Sequence, residues 1–278
     1  MRTGAKVWVK TAGVVLLLVL ALPMACRSND EQRLVLTGSS TIAPLATELG
    51  RRFEAENPGV RVDVQSGGSG RGINDVRSGL ADIGMVSRGL NPDEGELHAV
   101  TIARDGVCVI VHKDNPVTAL DDETVRKIYR GQIEDWGEVG GTPGPITVVN
   151  KAEGRSTLEL FLKHYGLENA EVKPDVVIGD NEQGVRTVAG NPGAIGYVSI
   201  GTAEYDAEVA KVSIKLLPVG GVAATTGHVQ DGSFPLARPL NLVTEKAPEG
   251  LARRFIEFAT SERVHDLVKA QYFVTVAP

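Results

Sequence analysis

Serine, threonine and glycine cluster at turns that directly follow short apolar runs of this sequence. The first such turn reads Gly-Ser-Ser-Thr at residues 38–41 and precedes a helical pattern. The first N–H groups of a helix have no backbone partner, and the helix dipole makes that end partly positive. Hydroxyls add rotatable donors, so Ser40 and Thr41 are suited to binding an oxyanion. A serine or threonine at such a position also serves simply as a helix cap.

A second turn, Gly-Gly-Ser-Gly-Arg-Gly at residues 67–72, is richer in glycine. It lacks the Gly-Lys-Ser/Thr ending of a P-loop, and its glycines do not have the spacing of the dinucleotide-binding fingerprint. Ser69 stands between two glycines just before a predicted helix, where the backbone can approach a ligand closely. The loop therefore favours an anion site, with flexible turning as the alternative.

Two further turns combine hydroxyl groups with arginine. Ser87 and Arg88 follow one apolar strand, and Glu-Gly-Arg-Ser-Thr at residues 153–157 follows another and opens a helical pattern. The planar guanidinium group matches the oxygens of phosphate in geometry and charge. Each turn alone is also typical of a capped helix with a solvated charge. Four similar turns at strand ends favour one cleft that binds a tetrahedral oxyanion.

The elements that carry these turns alternate between strand and helix. Apolar residues at Leu45, Leu49 and Phe53 predict a helix over 43–56, and alternating valines predict a strand that begins at residue 60. Repeated alternation of this kind indicates an α/β protein with a mainly parallel sheet. Ligands of such sheets bind beyond the carboxyl ends of the strands, which is where the four turns lie.

The second half of the chain has the same character. We predict a strand over 107–112 and a helix over 121–129 that begins at one of its leading aspartates. The stretch over 222–231 is polar and contains glycine. One long helix over 248–269 is predicted to end the fold.

The overall composition excludes several classes of protein. The chain has 278 residues, 32 of them glycine, and a net charge of -6. Glycine without a Gly-X-Y period excludes collagen, and 42% hydrophobic residues exclude a disordered chain. The length allows one large domain or two smaller ones, each with its own core. The acidic balance argues against nucleic acid as a partner, because nucleic acid attracts basic surfaces.

The N-terminus has the pattern of a bacterial signal peptide. Three basic residues precede an apolar run over 12–22, which is too short to span a bilayer. The run leads to Cys26 through a segment that resembles a lipobox, although Pro23 stands where leucine is usual. We expect residues 1–25 to be removed, Cys26 to be acylated, and residues 26–33 to form a tether. An ordinary cleaved signal and a retained anchor are the alternatives.

Residues for catalysis or metal binding are poorly grouped. The glycine loop fails the Gly-x-Ser-x-Gly pattern of serine hydrolases because residue 71 is arginine, and the five histidines show no metal-binding spacing. Cys108 lies in an apolar run and is typical of a buried core thiol. We therefore predict no catalytic residues, no metal and no cofactor. A serine hydrolase or phosphatase is a distant alternative.

Five motifs occur in an order that covers nearly all of the chain after residue 33. They are Thr-Gly-Ser-Ser-Thr-Ile-Ala-Pro at 37–44, Gly-Gly-Ser-Gly-Arg-Gly at 67–72, Ala-Asp-Ile-Gly-Met-Val-Ser-Arg at 81–88, Glu-Gly-Arg-Ser-Thr at 153–157 and Gly-Ala-Ile-Gly-Tyr-Val at 193–198. Together they resemble the motifs of the PstS-like periplasmic phosphate-binding proteins of ABC importers.

The resemblance implies the type II periplasmic-binding-protein fold. Each of two α/β lobes would be a mainly parallel sheet flanked by helices, and two hinge strands would join them. Residues 31–115 and 222–278 would form the first lobe, and residues 116–221 the second. The phosphate-binding residues carried over by position are Ser40, Thr41, Ile42, Ser69, Gly70, Ser87, Arg88, Glu153, Arg155, Ser156 and Thr157.

Two turns depart from the family pattern. Well-studied members have aspartate after the serine that matches Ser87, where it accepts the phosphate proton, and this chain has Arg88. The second-lobe motif usually reads Arg-x-Asp-Gly-Ser-Gly-Thr, whereas residues 151–157 read Lys-Ala-Glu-Gly-Arg-Ser-Thr. Glu153 is then the carboxylate best placed to accept that proton. Selectivity against sulfate, molybdate or a similar oxyanion is left open.

The resemblance also implies a role. The protein would capture inorganic phosphate outside the cytoplasmic membrane and deliver it to the permease subunits of an ABC transporter. It would be a monomer in the periplasm or another extracytoplasmic space, attached to the membrane through its lipid alone. A phosphate sensor or scaffold with the same fold is the alternative, because the sequence does not separate sensing from uptake.

Overall fold

The computed structural model describes residues 1, 3–4 and 32–276. The predicted signal peptide, Cys26 and most of the predicted tether lie outside the described residues. Within the described residues, no helix combines the length and the apolar character needed to cross a bilayer.

Ten strands are formed by residues 32–276. They are β1 (Gln32–Gly38), β2 (Val60–Ser66), β3 (Ile83–Val86), β4 (His98–His112), β5 (Thr147–Lys151), β6 (Val176–Ile178), β7 (Ala194–Ser199), β8 (Ile214–Leu217), β9 (Ala237–Thr244) and β10 (Val274–Thr275).

Nine α-helices accompany these strands in the same part of the chain. They are α1 (Ala43–Glu56), α2 (Ser69–Arg77), α3 (Asp122–Tyr129), α4 (Ser156–Tyr165), α5 (Asn181–Ala189), α6 (Ile200–Glu208), α7 (Thr226–Gln230), α8 (Gly250–Ala259) and α9 (His265–Ala270).

The strands form a sheet in the order β2-β1-β3-β9-β4-β7-β5-β6, with β8 and β10 also paired to β4. The outer strands are parallel, because β1 pairs parallel with β2 and β3, and β5 pairs parallel with β6 and β7. The central strands β4 and β9 are antiparallel to each other and to their neighbours. Each half of the sheet therefore carries parallel strands around a shared antiparallel centre.

Two large hydrophobic cores lie on either side of this centre, which confirms the two-lobe fold. The first-lobe core includes Leu36, Leu49 and Phe255, and the second-lobe core includes Phe161 and Tyr197. Strands β4 and β9 contribute to both cores, so they are the two strands that cross between the lobes.

The cores divide at different positions from the lobe boundaries expected at residues 115 and 222. In β4, Ala103 belongs to the first-lobe core and Val107 to the second. On the return path, Leu236 belongs to the second-lobe core and Leu240 to the first. The end of β4 packs with the second lobe because it pairs with β7 and β8.

Local sequence explains several element boundaries. Helix α1 spans the predicted residues 43–56, with its apolar face buried. Helix α3 begins after Asp121, whose carboxylate accepts a hydrogen bond from Thr124 N at 2.7 Å, as predicted for a helix cap. Strand β1 begins at Gln32, so the last two residues of the predicted tether belong to the sheet.

The predicted final helix is wrong in part. The final helix is two helices, α8 and α9, because the hydroxyls of Thr260 and Ser261 donate to carbonyls at the end of α8 (3.0 Å to Ile256 O and 2.7 Å to Phe258 O). The polar stretch over 222–231 contains α7, which is capped by Thr225. In addition, β4 begins at His98, well before the predicted strand.

Candidate anion-binding site

The four hydroxyl-bearing turns meet at one point between the lobes. Helices α1, α2 and α4 begin there, and Ser87 follows the end of β3 there. The turns line a small cavity of about 10 Å³. Its lining residues are Ser39, Ser40, Thr41, Gly68, Ser69, Ser87, Arg155, Ser156 and Thr157.

The serine hydroxyls of this cavity form a connected cluster. Ser87 Oγ lies 2.9 Å from Ser39 Oγ and 2.6 Å from Ser156 Oγ. Ser69 Oγ completes the cluster at 2.9 Å from Ser156 Oγ. All four residues are buried. Since Ser156 belongs to the second lobe and the other three to the first, the cluster joins the lobes through groups that both donate and accept hydrogen bonds.

Backbone N–H groups point at the same hydroxyls. Thr41 N and Ile42 N donate to Ser39 Oγ at 3.2 and 3.4 Å, and Ser87 N donates to Ser69 Oγ at 3.1 Å. The side chain of Ile42 packs in the first-lobe core, so this residue offers its backbone alone. These donors lie where a helix dipole favours a negative ligand.

Arg238 was missed by the sequence analysis and is the central cation of the site. It lies on β9, is 1% exposed, and forms an ion pair with Asp105 of β4 at 2.7 Å. Its terminal nitrogens also donate to Thr157 Oγ1 at 3.0 Å and to Thr41 Oγ1 at 3.1 Å. The available signal was a charged residue at the start of an otherwise apolar strand, because fully buried charges are rare unless they are paired.

Lys151 and Arg155 add positive charge from the second lobe. Lys151 is 3% exposed, and its Nζ donates to Asn181 Oδ1 at 2.9 Å. Burial, and then the nearby Arg238 guanidinium, lower the pKa of Lys151 to about 7. Arg155 is half-buried in the cavity wall, and burial lowers its pKa as well. Burial penalises the charged form of each side chain, a cost that a bound anion would offset.

Arg88 is placed differently from the expectation. Its terminal nitrogens donate to the two oxygens of Glu94 at 2.6 and 2.8 Å, and its Nε lies 2.6 Å from Glu159 Oε2. Hydrogen bonds from Arg88 hold the pKa of Glu94 below its usual value. The guanidinium is thus taken up by carboxylates and does not line the cavity, although its neighbour Ser87 does.

Glu153 and Gly70 also have roles other than cavity lining. The Glu153 carboxylate accepts a hydrogen bond from Asn169 Nδ2 at 2.9 Å on the exposed side of the turn, so the structure does not bring it to the hydroxyl cluster. Gly70 N donates to Gly154 O at 3.1 Å, which joins the main chains of the two lobes.

Gly68 has a geometry that requires glycine. Its φ is +97°, and a Cβ atom there would lie 2.5 Å from Gly154 O of the other lobe. The two lobes therefore approach each other backbone to backbone beside the cavity.

The chemistry available here is anion binding. Within residues 32–276, the cavity wall contains neither histidine nor carboxylate, so its serines have no general base beside them. The described residues also contain no group of metal-binding side chains. Hydroxyls, aimed N–H groups and buried cations can together hold a dehydrated oxyanion.

Comparison with known proteins identifies the family. A model described as the PBP superfamily domain matches residues 27–263. The phosphate-binding protein PstS of Bacillus subtilis is 29% identical over 248 residues, covering 87% of this chain and 80% of that protein. The protein of the same name from Borreliella burgdorferi is 26% identical, with 95% and 97% covered.

Solved structures agree with these matches. A protein from Clostridium perfringens, described as a candidate phosphate ABC transporter substrate-binding protein with bound phosphate, has a TM-score of 0.80 and 30% identity, with 88% of this chain and 100% of that chain covered. An ABC-type phosphate transport receptor from Vibrio cholerae has a TM-score of 0.73 and 29% identity, with 87% and 100% covered. The chain therefore belongs to the PBP superfamily and, within it, to the PstS-like phosphate-binding proteins. The expectation of a binding protein rather than an enzyme is confirmed by these relatives.

Proposed function

We propose that this protein binds inorganic phosphate between its lobes and delivers it to the permease of an ABC transporter. The observation that carries the proposal is that Arg238 donates to Thr41 and Thr157, which belong to opposite lobes and both line the buried cavity. The name of the Clostridium perfringens relative, which includes bound phosphate, supports the same ligand.

Binding would couple to lobe closure through the hydroxyl cluster. A phosphate ion between the lobes would accept hydrogen bonds from Thr41 and Ser69 on one side and from Ser156 and Thr157 on the other. These hydroxyls rotate without moving the backbone, so they can turn from each other to the ion. An ion that contacts both lobes stabilises the closed arrangement over an open one. The hinge would be the crossing strands β4 and β9, which also carry Asp105 and Arg238.

The residues that we propose as phosphate ligands follow from the cavity. Ser40, Thr41, Ser69, Ser87, Arg155, Ser156 and Thr157 are retained, Ile42 and Gly70 contribute through the backbone only, and Arg238 is added. Arg88 and Glu153 are reassigned to supporting contacts.

The proposal also concerns selectivity between phosphate and other oxyanions. Phosphate carries a proton at neutral pH that sulfate lacks, and the acceptors available for it in the cavity are hydroxyl oxygens. Titration calorimetry of the mature protein with phosphate, arsenate, sulfate and molybdate tests this directly. We expect phosphate and arsenate to bind more tightly than sulfate and molybdate, but by a modest factor, because a hydroxyl can also donate to an ion that has no proton. Equal affinity for phosphate and sulfate would make the protein a general oxyanion binder.

Membrane attachment through Cys26 is proposed on the sequence alone. Cys26→Ala should move the protein from the membrane fraction to the soluble fraction of the cell, because a thioether-linked lipid is its expected anchor. Unchanged fractionation would contradict lipidation at this residue.

We also propose that the mature protein is a monomer in an extracytoplasmic space. Sedimentation of the purified protein would test the monomeric state.

Delivery to a permease is tested by uptake. Radiolabelled phosphate should enter cells that contain the protein and its permease, and uptake should fall in cells that lack the protein. Normal uptake together with a lost transcriptional response to phosphate starvation would instead favour the sensor role.

A further inference from the structure

Lys151 differs from Arg238 in having no carboxylate partner in the described part of the chain. Both side chains are buried. Arg238 has the Asp105 carboxylate at 2.7 Å, whereas the ammonium group of Lys151 has the neutral amide of Asn181. A buried ammonium without a counter-charge is costly, and it tends to lose its proton instead.

The groups that face Lys151 come from several elements. Arg238 on β9 and Arg155 before α4 repel the ammonium, while Asp180 before α5 attracts it. Tyr197 on β7 contacts the Lys151 backbone through its hydroxyl. The two cations and the burial outweigh the one aspartate, so the pKa of Lys151 falls to about 7.

Asn181 joins Lys151 to the anion cavity. Its Oδ1 accepts from Lys151 Nζ at 2.9 Å, and its Nδ2 donates to Thr41 Oγ1 at 3.2 Å. Thr41 belongs to the cavity wall and to the other lobe. An anion held by Thr41 would place its negative charge on the same polar chain and supply the counter-charge that Lys151 lacks.

We propose that Lys151 takes up one proton when an oxyanion binds. The inference rests on the proposed phosphate site. The proton passes from solvent to the lone pair of Nζ, the amine becomes ammonium, and no bond forms between Nζ and the anion. The anion favours the charged form, so the site with phosphate bound keeps its ammonium at a pH where the free site does not.

The expected signature is a fall in phosphate affinity above neutral pH. By linkage, affinity decreases up to about tenfold for each pH unit between the free and the bound pKa of the group. A Lys151→Arg variant keeps a charge at every accessible pH, so its affinity should show only the pH dependence that comes from the titration of phosphate itself. A Lys151→Met variant should bind more weakly than the native protein below pH 7 and approach it at high pH.

Titration calorimetry in buffers of different ionisation enthalpy measures the proton directly. At about pH 8.5, phosphate binding to the native protein should take up nearly one proton, and binding to Lys151→Arg should take up almost none. Equal proton uptake by the two proteins would overturn the proposal, because the proton would then go to phosphate or to another group. If the native protein takes up no proton on binding phosphate, the proposal is overturned as well.

Two further measurements distinguish a failure of this inference from a failure of the proposed function. If no phosphate binds to the native protein at any pH, the proposed function itself fails. If Lys151→Arg does not fold, the NMR titration of the Lys151 side chain in the native protein decides. A pKa near 7 in the free protein and at least about two units higher with phosphate is expected, and the same pKa in both states would contradict the proposal.

Discussion

Two buried arginines lie close to the cleft and differ in what they contact. Arg88 contacts carboxylates, whereas Arg238 also donates to hydroxyls that line the cavity. Arg88 is 5% exposed and Arg238 is 1% exposed, and each pairs with a carboxylate in excellent geometry. Arg88 uses its three nitrogens on two carboxylates, Glu94 and Glu159. Arg238 uses two nitrogens on Asp105 and still directs its terminal N–H groups at hydroxyls of both lobes.

The comparison shows that a buried positive charge does not define an anion site by itself. What matters is whether donors remain that point into a space a ligand can enter. Asp105 accepts hydrogen bonds from Nε and Nη2 of Arg238. Nη1 and Nη2 still donate to Thr157 and Thr41, which line the cavity. Glu94 and Glu159 enclose Arg88 and make it a structural contact, since Glu159 belongs to the second lobe and Arg88 to the first.

The largest effect on phosphate binding is expected at Arg238. Arg238→Met removes charge-assisted hydrogen bonds worth about 1.5–3 kcal/mol each, so affinity should fall at least about a hundredfold in titration calorimetry. The variant also leaves Asp105 buried without its partner, which costs about 3–5 kcal/mol of folding free energy. An Arg238→Met/Asp105→Asn double variant should recover stability without recovering binding. Native affinity in either variant would remove Arg238 from the site.

Arg155 should give the next largest effect. Arg155→Ala removes a half-buried cation from the cavity wall, and about tenfold or more of the affinity should be lost. Arg71→Ala is the matched control, because Arg71 belongs to the glycine loop but pairs with Asp75 on the surface. We expect Arg71→Ala to bind phosphate as the native protein does. Equal losses in the two variants would point to a general effect of surface charge.

Arg88 should separate stability from binding. Arg88→Met leaves Glu94 buried without its cation, which should lower the free energy of unfolding by about 3–5 kcal/mol in denaturant titration. Phosphate affinity of the folded protein should change by less than about fivefold, because this guanidinium contacts carboxylates and, unlike that of Arg238, no hydroxyl of the cavity wall. A loss of affinity as large as that of Arg238→Met would erase the distinction between the two arginines.

The smallest effect is expected at Glu159. Glu159→Gln weakens one partly exposed ion pair across the lobes, so the affinity should fall by a few-fold at most at low salt and less at high salt. Glu153→Gln is the control in the same motif, and no change is expected because that carboxylate faces Asn169 on the outer side. A strong effect of Glu153→Gln would restore it as the acceptor of the phosphate proton.

Much of the fold and of the cleft could be predicted from local patterns. The hydroxyl turns, helix α1 and the Asp121 cap each depend on residues within a few positions of one another. Arg238 and Asp105 are 133 residues apart, so their pairing depends on how two crossing strands align and has no local pattern. The direction of Arg88 depends on Glu94, six residues along the chain, and on Glu159, which reaches it from the other lobe.

The main-chain contact beside the cavity limits the size of what can be captured. Gly68 and Gly154 bring the two polypeptide backbones together without side chains between them, so no rotamer change can widen that wall. A bare tetrahedral ion has no substituent that must pass this wall, whereas a sugar or nucleoside attached to the phosphorus would have to push peptide groups apart. If the cavity binds phosphate as we propose, organic phosphate esters would be excluded, and their phosphorus would become available to the protein only after hydrolysis.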